Sequence, residues 1–562
     1  ALVYSPEAVI EWLKRDEGSE RYYANQFELV FGKSLGDAWD DWIAWEKVFQ
    51  KANLEKVNEE TLTEVNVLTQ QTLGSISRSF ISPDGSEMIG AFRFPGVVAH
   101  VGRLSLSDGS VEHVTDIKGP MQYRVTSPAY DPKNNVLFYT ADNANYRDLM
   151  RVDLETGKKR MLIKDARVGD LVFNAVDESI WGLRHLNGYV SLVRIPPPYD
   201  EWNQLYSWPY GQVPYELDIS PDGNLLSMSL GEIDASQYLR VFRTEDLLDG
   251  KAESIAEYNF VTSVPEGFVF SPDGRYLFGS SFYTGVSNIF RFEIESGDIE
   301  AVSNAETGFF RPIPREDGSL IVFEFTGKGF VPVVIDPVPL EDVSAITFLG
   351  NEIAKKHPVV REWNVIDSLA EIAYEEKITH QGKYRPYREL EFESGFPIIE
   401  GYRDSVALGV ALKFQDPAQL HNLDFSLSYS PDNDLDSDER LHFNAEYRAL
   451  NWHARYWHND ADFYDLFGPT KRSRKGDAFM LGYERALIFD EPRVLDFSAD
   501  VAYYTGLDTL PGNQNVPAFF EDILHGQVEF NYTHTRKSLG AVDHEKGWRW
   551  DIVAVADRAN SE

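Results

Sequence analysis

The sequence predicts a mainly β chain in three parts: an N-terminal helical segment, a six-bladed β-propeller, and a C-terminal antiparallel β-barrel that is incomplete. Three observations carry that prediction. A Ser-Pro-Asp-Gly turn recurs with a period in the forties, which marks one four-stranded blade per repeat. The last third alternates apolar and polar residues with period two, as strands do. The N-terminal stretch instead carries helix starts, helix stops and an apolar stripe at helical spacing.

Composition narrows the function. The chain has 562 residues, long enough for three or four domains of about 150 residues. It carries 53 Lys and Arg against 90 Asp and Glu, a net charge of −37. That argues against a nucleic-acid binder, which needs clustered cations for phosphate, and against a polybasic membrane-surface protein. Aromatics make up 13%, which leans toward strands. With no cysteine, disulfide scaffolds, thiol catalysis and Cys-ligated zinc are excluded. No apolar run is long enough for a transmembrane helix. The chain starts at Ala1 without methionine and stops at Glu562 just after a strand-like run. It therefore reads as a fragment whose targeting signal is lost.

The helical segment is assigned to 1–71. Ser5-Pro6-Glu7 combines a capping hydroxyl, Pro at the first helical position and an acid at the positive helix end. That helix should run to about Asp16 and stop at Gly18. A second spans Glu20 to Phe31 and closes at Gly32; a third follows Ser34. Its stripe of Ala38, Trp42, Trp45 and Phe49, widened by Trp39 and Ile43, asks for a partner surface, expected in a missing upstream domain. The run from Glu11 to Asn53 resembles the C-terminal helical tail of gluzincin-type zinc metallopeptidases. The resemblance implies a parent peptidase whose H-E-x-x-H helix lies upstream of residue 1. This chain has only His544-Glu545, followed by Lys-Gly-Trp, so it offers no catalytic motif.

The propeller is assigned to 72–349. Ser82 to Gly85, Ser220 to Gly223 and Ser271 to Gly274 are full copies of the turn. Asp131-Pro132, Asn174 to Asp177 and Arg315 to Gly318 are degenerate ones. Starts at 82, 131, 174, 220, 271 and 315 give steps of 49, 43, 46, 51 and 44, hence six blades. Pro sets the first turn φ and Gly takes the left-handed position. Gly109, Gly157, Gly250 and Gly297 mark a second turn, between the third and fourth strands. The repeats resemble the TolB-like propellers of bacterial envelope proteins, which share the Ser-Pro-Asp-Gly turn. No G-x-S-x-G follows the propeller, as a prolyl-oligopeptidase-like enzyme would require. Phosphate-loop and dinucleotide fingerprints are absent from the sequence as well.

A connector, 350–403, carries Lys355-Lys356 and a Glu-rich stretch at 371–376. From about Asp404 to 562 the period is two. Leu423, Phe425, Leu427 and Tyr429 alternate with Asp424, Ser426 and Ser428. Leu441, Phe443, Ala445 and Tyr447 alternate with His442, Asn444 and Glu446. Leu495 to Tyr503, Val528 to Tyr532 and Trp548 to Ala556 repeat the pattern. About eight strands of nine to twelve residues are expected. Either a membrane barrel with its apolar face in lipid or a soluble sheet with the faces reversed gives this pattern. Tyr429, Tyr447, Tyr456, Tyr503 and Tyr532 near strand ends favour an interfacial girdle. Short and long connections alternate as in outer-membrane barrels, except at 534–546. The region resembles the outer-membrane surface-antigen barrels that follow TolB-like propellers, on Asp462-Phe-Tyr-Asp-Leu-Phe-Gly-Pro-Thr470 and Ser538-Leu-Gly-Ala-Val-Asp543.

Candidate sites come last. Asp432, Asp434, Asp436 and Asp438 are spaced like calcium ligands but lack the Gly at position six and the Glu at twelve, so a solvated acidic loop is expected. His453 and His458 point to opposite strand faces and cannot share a metal. Lys471, Arg472, Arg474 and Lys475 form the basic cluster. No metal or cofactor is expected. Four residues before each repeat start lie Arg78, Ser127, Asp170, Glu216, Gly267 and Arg311. Strand parity points them to one channel mouth. Arg78 and Arg311 should form a cationic side opposite Asp170 and Glu216, suited to a zwitterionic or peptide ligand. Pairing of each Arg with a local carboxylate, or side chains pointing into the blade interfaces, would instead make the ring structural and leave no ligand site there. The expectation for the whole is a non-catalytic module of the Gram-negative envelope. Its periplasmic propeller would bind protein or peptide, and its barrel would sit in outer-membrane lipid. The alternatives are a soluble periplasmic chain and the downstream part of a zinc peptidase.

Overall fold

A computed structural model describes every residue except 1, 70, 120–124, 143–145, 341–345, 363–373, 380, 464–472, 511–515 and 561–562. The chain divides into two units. One comprises Ala1–Ile372 with Arg536–Glu545, the other Ala373–Thr535 with Lys546–Glu562.

The first unit opens with three helices, α1 (Pro6–Leu13), α2 (Tyr23–Phe31) and α3 (Leu35–Val57). The Ser5 hydroxyl accepts from the Ala8 N–H at 3.3 Å, and Ser34 from Asp37 at 3.1 Å. The first cap is the one the sequence predicts, and Ser34 caps the helix expected to follow it. Gly32 ends α2 in the left-handed region, φ 70°. Trp39, Trp42 and Trp45 of α3 are exposed.

Six four-stranded sheets follow. Blade one runs from Phe80–Ile81 to Val111–Asp116, blade two from Pro128–Asp131 to Lys159–Ile163, and blade three from Val168–Asn174 to Asn203–Ser207. Blade four runs from Val213–Ile219 to Ser254–Asn259, and blade five from Pro265–Phe270 to Ile299–Ala301. Blade six has Phe309–Pro314, Leu320–Thr326 and Gly329–Ile335, and takes its outermost strand, Asn66–Val67, from the N-terminal side. The ring thus begins upstream of the Thr72 limit read from the repeats. A two-residue strand leaves no periodic signal.

Six buried apolar clusters sit one at each blade junction. Leu137 and Val101 join blades one and two, Phe138 and Val193 two and three, and Trp181 and Met228 three and four. Leu239 and Phe290 join four and five, Ile289 and Val322 five and six, and Phe92 and Phe323 six and one. The last pair closes the ring. Each such side chain removed from water contributes about 1.5–3 kcal/mol, so the junctions hold the blades together. The segment Arg536–Glu545 packs in this unit: Arg536 pairs with Asp116 at 2.9 Å, and Leu539 occupies the space beside Gly74 that a Cβ would need.

The second unit is one antiparallel sheet, barrel-like and not closed. Its nine long strands are Glu391–Tyr402, Ser405–Gln415, His421–Tyr429, Leu441–Ala449, Trp452–Asp460, Arg474–Asp490, Arg493–Thr505, Ile523–Arg536 and Lys546–Ala559. A two-residue strand, Asp462–Phe463, pairs with the first at Glu400 and Gly401. The strand count is nine rather than eight. The sheet also opens before Asp404, because the first strand carries apolar residues on both faces (Phe396, Ile398, Ile399), which hides the period. Cross-strand partners place Phe425, Ala445, Tyr456, Phe479 and Tyr503 in one row, and Phe497 beside Phe530 on the same face. This apolar face is the exposed one: Leu481 is 54% and Val501 56% exposed. The opposite face is covered around Ser428, His442 and Asn459, and Ala478 and Ala502 are each 1% exposed. Most of the Asp462–Thr470 motif and Lys471, Arg472 and 371–373 lie outside the described residues.

Candidate functional site: the propeller cavity

The innermost strands of the six blades line a cavity of about 370 Å³. Arg78, Ser127, Asp170, Glu216, Gly267 and Arg311 all reach it, as their common position predicts. A repeated backbone device puts four of them there. In blades three to six the pairing of the first two strands slips by one residue, between Gly169 and Val172, Tyr215 and Asp218, Glu266 and Val269, and Phe310 and Ile313. At each bulge the ring residue is left-handed: φ is 47° at Asp170, 51° at Glu216, 60° at Gly267 and 50° at Arg311. Side chains rarely adopt that region, at a cost of about 1–2 kcal/mol. Only blade five uses glycine.

The expected separation of charge does not occur. Arg311 Nη2 donates to Glu216 Oε1 at 2.6 Å. Arg78 pairs with Asp218 and donates to the Leu217 carbonyl at 2.9 Å. Both arginines therefore cross from blades six and one to blade four. Arg311 is only 17% exposed and Glu216 13%. Burial pulls the Arg311 pKa down, but Glu216, Glu266 and Asp170 more than offset that and hold it above its ordinary value. The same carboxylates staple blades. The Gly267 N–H donates to Glu216, and the Phe270 N–H donates to Asp218 at 2.7 Å. Ser127 Oγ accepts from the Leu171 N–H at 2.8 Å, and Ser77 Oγ from Val125 at 2.8 Å. The ring charges thus serve as a brace.

Asp218 escaped the sequence reading, although a signal was present. Two residues before each turn stand Phe80, Ala129, Val172, Asp218, Val269 and Ile313, and Asp218 alone among them is polar. Immediately before the turns stand Ile81, Tyr130, Phe173, Ile219, Phe270 and Pro314, and all six line the cavity. Burial, with Asp131 nearby, pushes the Tyr130 phenol up to about 12. The cavity thus joins a charge-paired tier to an apolar one.

The other candidates find local partners. Asp432 accepts from Ser405 Oγ at 2.5 Å and from the Asp434 N–H at 3.0 Å. His453 meets Asp500 and His458 meets Asp477, on opposite faces. Lys475 pairs with Glu439 at 2.8 Å. Among the described residues, no group of three or more His, Asp or Glu could hold a metal ion.

No family model and no curated protein matches the chain. Solved propellers do. TolB from Acinetobacter baumannii is 12% identical, with 48% of this chain matching 55% of that one at a TM-score of 0.29. An oligogalacturonate lyase from Vibrio parahaemolyticus is 12% identical over 49% of this chain and 94% of that one, TM-score 0.36. A gluconolactonase from Xanthomonas campestris is 18% identical over 49% and 90%, TM-score 0.34. The chain thus spans about half the length of that TolB. Likenesses this distant carry no argument about activity, and the six blades rest on the strand pairing itself.

Proposed function

We propose that the chain is a non-catalytic module of the Gram-negative cell envelope. Its sheet sits in the outer membrane, and its propeller presents a surface to a protein or peptide in the periplasm. One observation carries the proposal: the sheet exposes its apolar face at Leu481 and Val501, while its polar face is covered around Ser428, His442, Ala478 and Ala502. A barrel in lipid has that arrangement and a soluble one has the reverse. No helix among the described residues is long and apolar enough to cross a membrane, so a crossing would be made by strands. At the propeller, the paired arginines leave no open cationic side for a ligand carboxylate. A partner would instead meet the apolar tier of Tyr130, Phe173 and Phe270. Vesicle flotation tests the membrane half. The refolded chain should float with phosphatidylethanolamine–phosphatidylglycerol vesicles. Leu481→Arg/Val501→Arg should float at least tenfold less, each Arg costing about 2–4 kcal/mol at mid-bilayer. A folded chain that stays with the soluble fraction sinks the proposal and leaves the periplasmic alternative.

A further inference from the structure

The propeller cavity has a direction. Pro132, Ala175 and Pro221, exposed residues of the turns, line its mouth. The apolar tier follows, and the charged ring lies three residues further along the innermost strands, at about 3.3 Å each. Asp170 and Asp218 are buried there. A group entering between the turns therefore passes apolar side chains before it meets charge. Neither arginine pairs within its own blade, so the brace ties blades six and one to blade four and uses both guanidiniums. The acids of the ring are more numerous. Asp170, Glu216 and Asp218 line the cavity against Arg78 and Arg311. Glu266, beside Gly267, adds its field to those of Glu216 and Asp170 at Arg311. A buried surplus of negative charge is costly unless a cation compensates it. The aromatic walls draw a cation independently, because the face of a ring is its negative side. Phe80 already holds the Arg78 guanidinium 5.1 Å from its centre, and Tyr130, Phe173 and Phe270 stand in the same cavity.

We infer that the cavity takes a lysine side chain of a protein or peptide, its methylene stem in the apolar tier and its ammonium against the surplus acids of the ring. The inference rests on reading the propeller as a surface for such a partner, and it names what that partner presents. Lysine fits the order of the two tiers, because a flexible apolar stem ends in a compact charge. A carboxylate would enlarge the surplus of negative charge, and a neutral side chain would leave it uncompensated. The cavity, about 370 Å³, is small among ligand pockets, which run from about 300 to 1,000 Å³. One side chain and the backbone that carries it are enough to occupy it.

Calorimetric titration of the full chain with acetylated and amidated pentapeptides tests this. The probes are Ala-Ala-Lys-Ala-Ala and the same peptide with norleucine or glutamate in place of lysine. The lysine peptide should bind about tenfold tighter than the norleucine peptide, whose stem is apolar and uncharged, and the glutamate peptide should bind weakest. Asp170→Asn should abolish the preference for lysine and leave the norleucine affinity unchanged, a built-in check that the propeller is folded. Ala175→Lys changes only an exposed residue at the mouth, and should weaken the lysine peptide while sparing the norleucine one. Equal affinity for the lysine and norleucine peptides would overturn the inference and leave the peptide-binding reading standing. A norleucine peptide that matches the lysine peptide once its amino terminus is freed would move the cation to a chain end and overturn the side-chain assignment. Binding of none of the peptides would overturn the inference and the peptide-binding reading together.

Discussion

Glu216 illustrates how one side chain holds several elements. It accepts from the Gly267 N–H of the next blade and pairs with Arg311 of the blade beyond, from a left-handed backbone. Removing it leaves a buried guanidinium and an amide without their acceptor. Glu216→Ala should therefore lose roughly 2–4 kcal/mol of propeller stability. Gly267→Ala separates backbone strain from contacts. A Cβ there meets its nearest atoms, Arg311 Cγ and Cα and Glu216 Oε2, at 3.5 and 3.6 Å, ordinary distances. The loss should thus be the conformational cost alone, about 1 kcal/mol. Denaturant titration of both variants checks the ordering, and a Gly267→Ala loss as large as that of Glu216→Ala would refute it. The sequence revealed that the six ring positions differ from their apolar neighbours. It did not reveal the partners. Strand parity says which way a residue points, but a bulge and a reach across the ring depend on three-dimensional closure.

At the scale of elements, the Ser-Pro-Asp-Gly turn explains its own legibility. In each full copy the Ser hydroxyl bonds the Asp carboxylate, at 2.6 Å for Ser82, 2.6 Å for Ser220 and 2.5 Å for Ser271. The same Asp then accepts an N–H two residues on. The degenerate copies keep part of this: Asp131 accepts from the Lys133 and Asn134 N–H groups, and Asn174 from Val176. Local chemistry like this repeats in sequence, so six blades could be counted from it. The hydroxyl first, then the amide, hold Asp84 down at about 2, and Asp222 and Asp273 also fall below the usual carboxylate range. A depressed folded pKa adds stability that is present above the unfolded value, about 3.9, and is lost as pH falls through the folded one. The melting temperature should therefore drop between about pH 4 and 2. Asp84→Asn/Asp222→Asn/Asp273→Asn should flatten that drop. An unchanged slope would mean that the turns do not carry it. The closing strand Asn66–Val67 and the first sheet strand were illegible for the opposite reason, one being too short to show a period and the other apolar on both faces.

At the scale of the molecule, the period-two pattern fixed which residues share a face and left open which face meets water. Strand alternation is the same for a soluble sheet and a lipid-facing one. In the folded sheet Leu481 and Val501 are exposed and Ala478 and Ala502 covered, the arrangement on which the lipid-facing proposal rests. The central claim, that the exposed apolar face contacts lipid, can be measured residue by residue in a chain that has no cysteine of its own. Nitroxide labels on Leu481→Cys and Val501→Cys, and on Met480→Cys and Ala502→Cys for the other face, would be read in vesicles. Collision rates with oxygen, which concentrates in lipid, are compared with those of a water-soluble nickel chelate. The account predicts that labels at 481 and 501 favour oxygen and that labels at 480 and 502 do not. Higher chelate access at 481 and 501 than at 480 and 502 would contradict it.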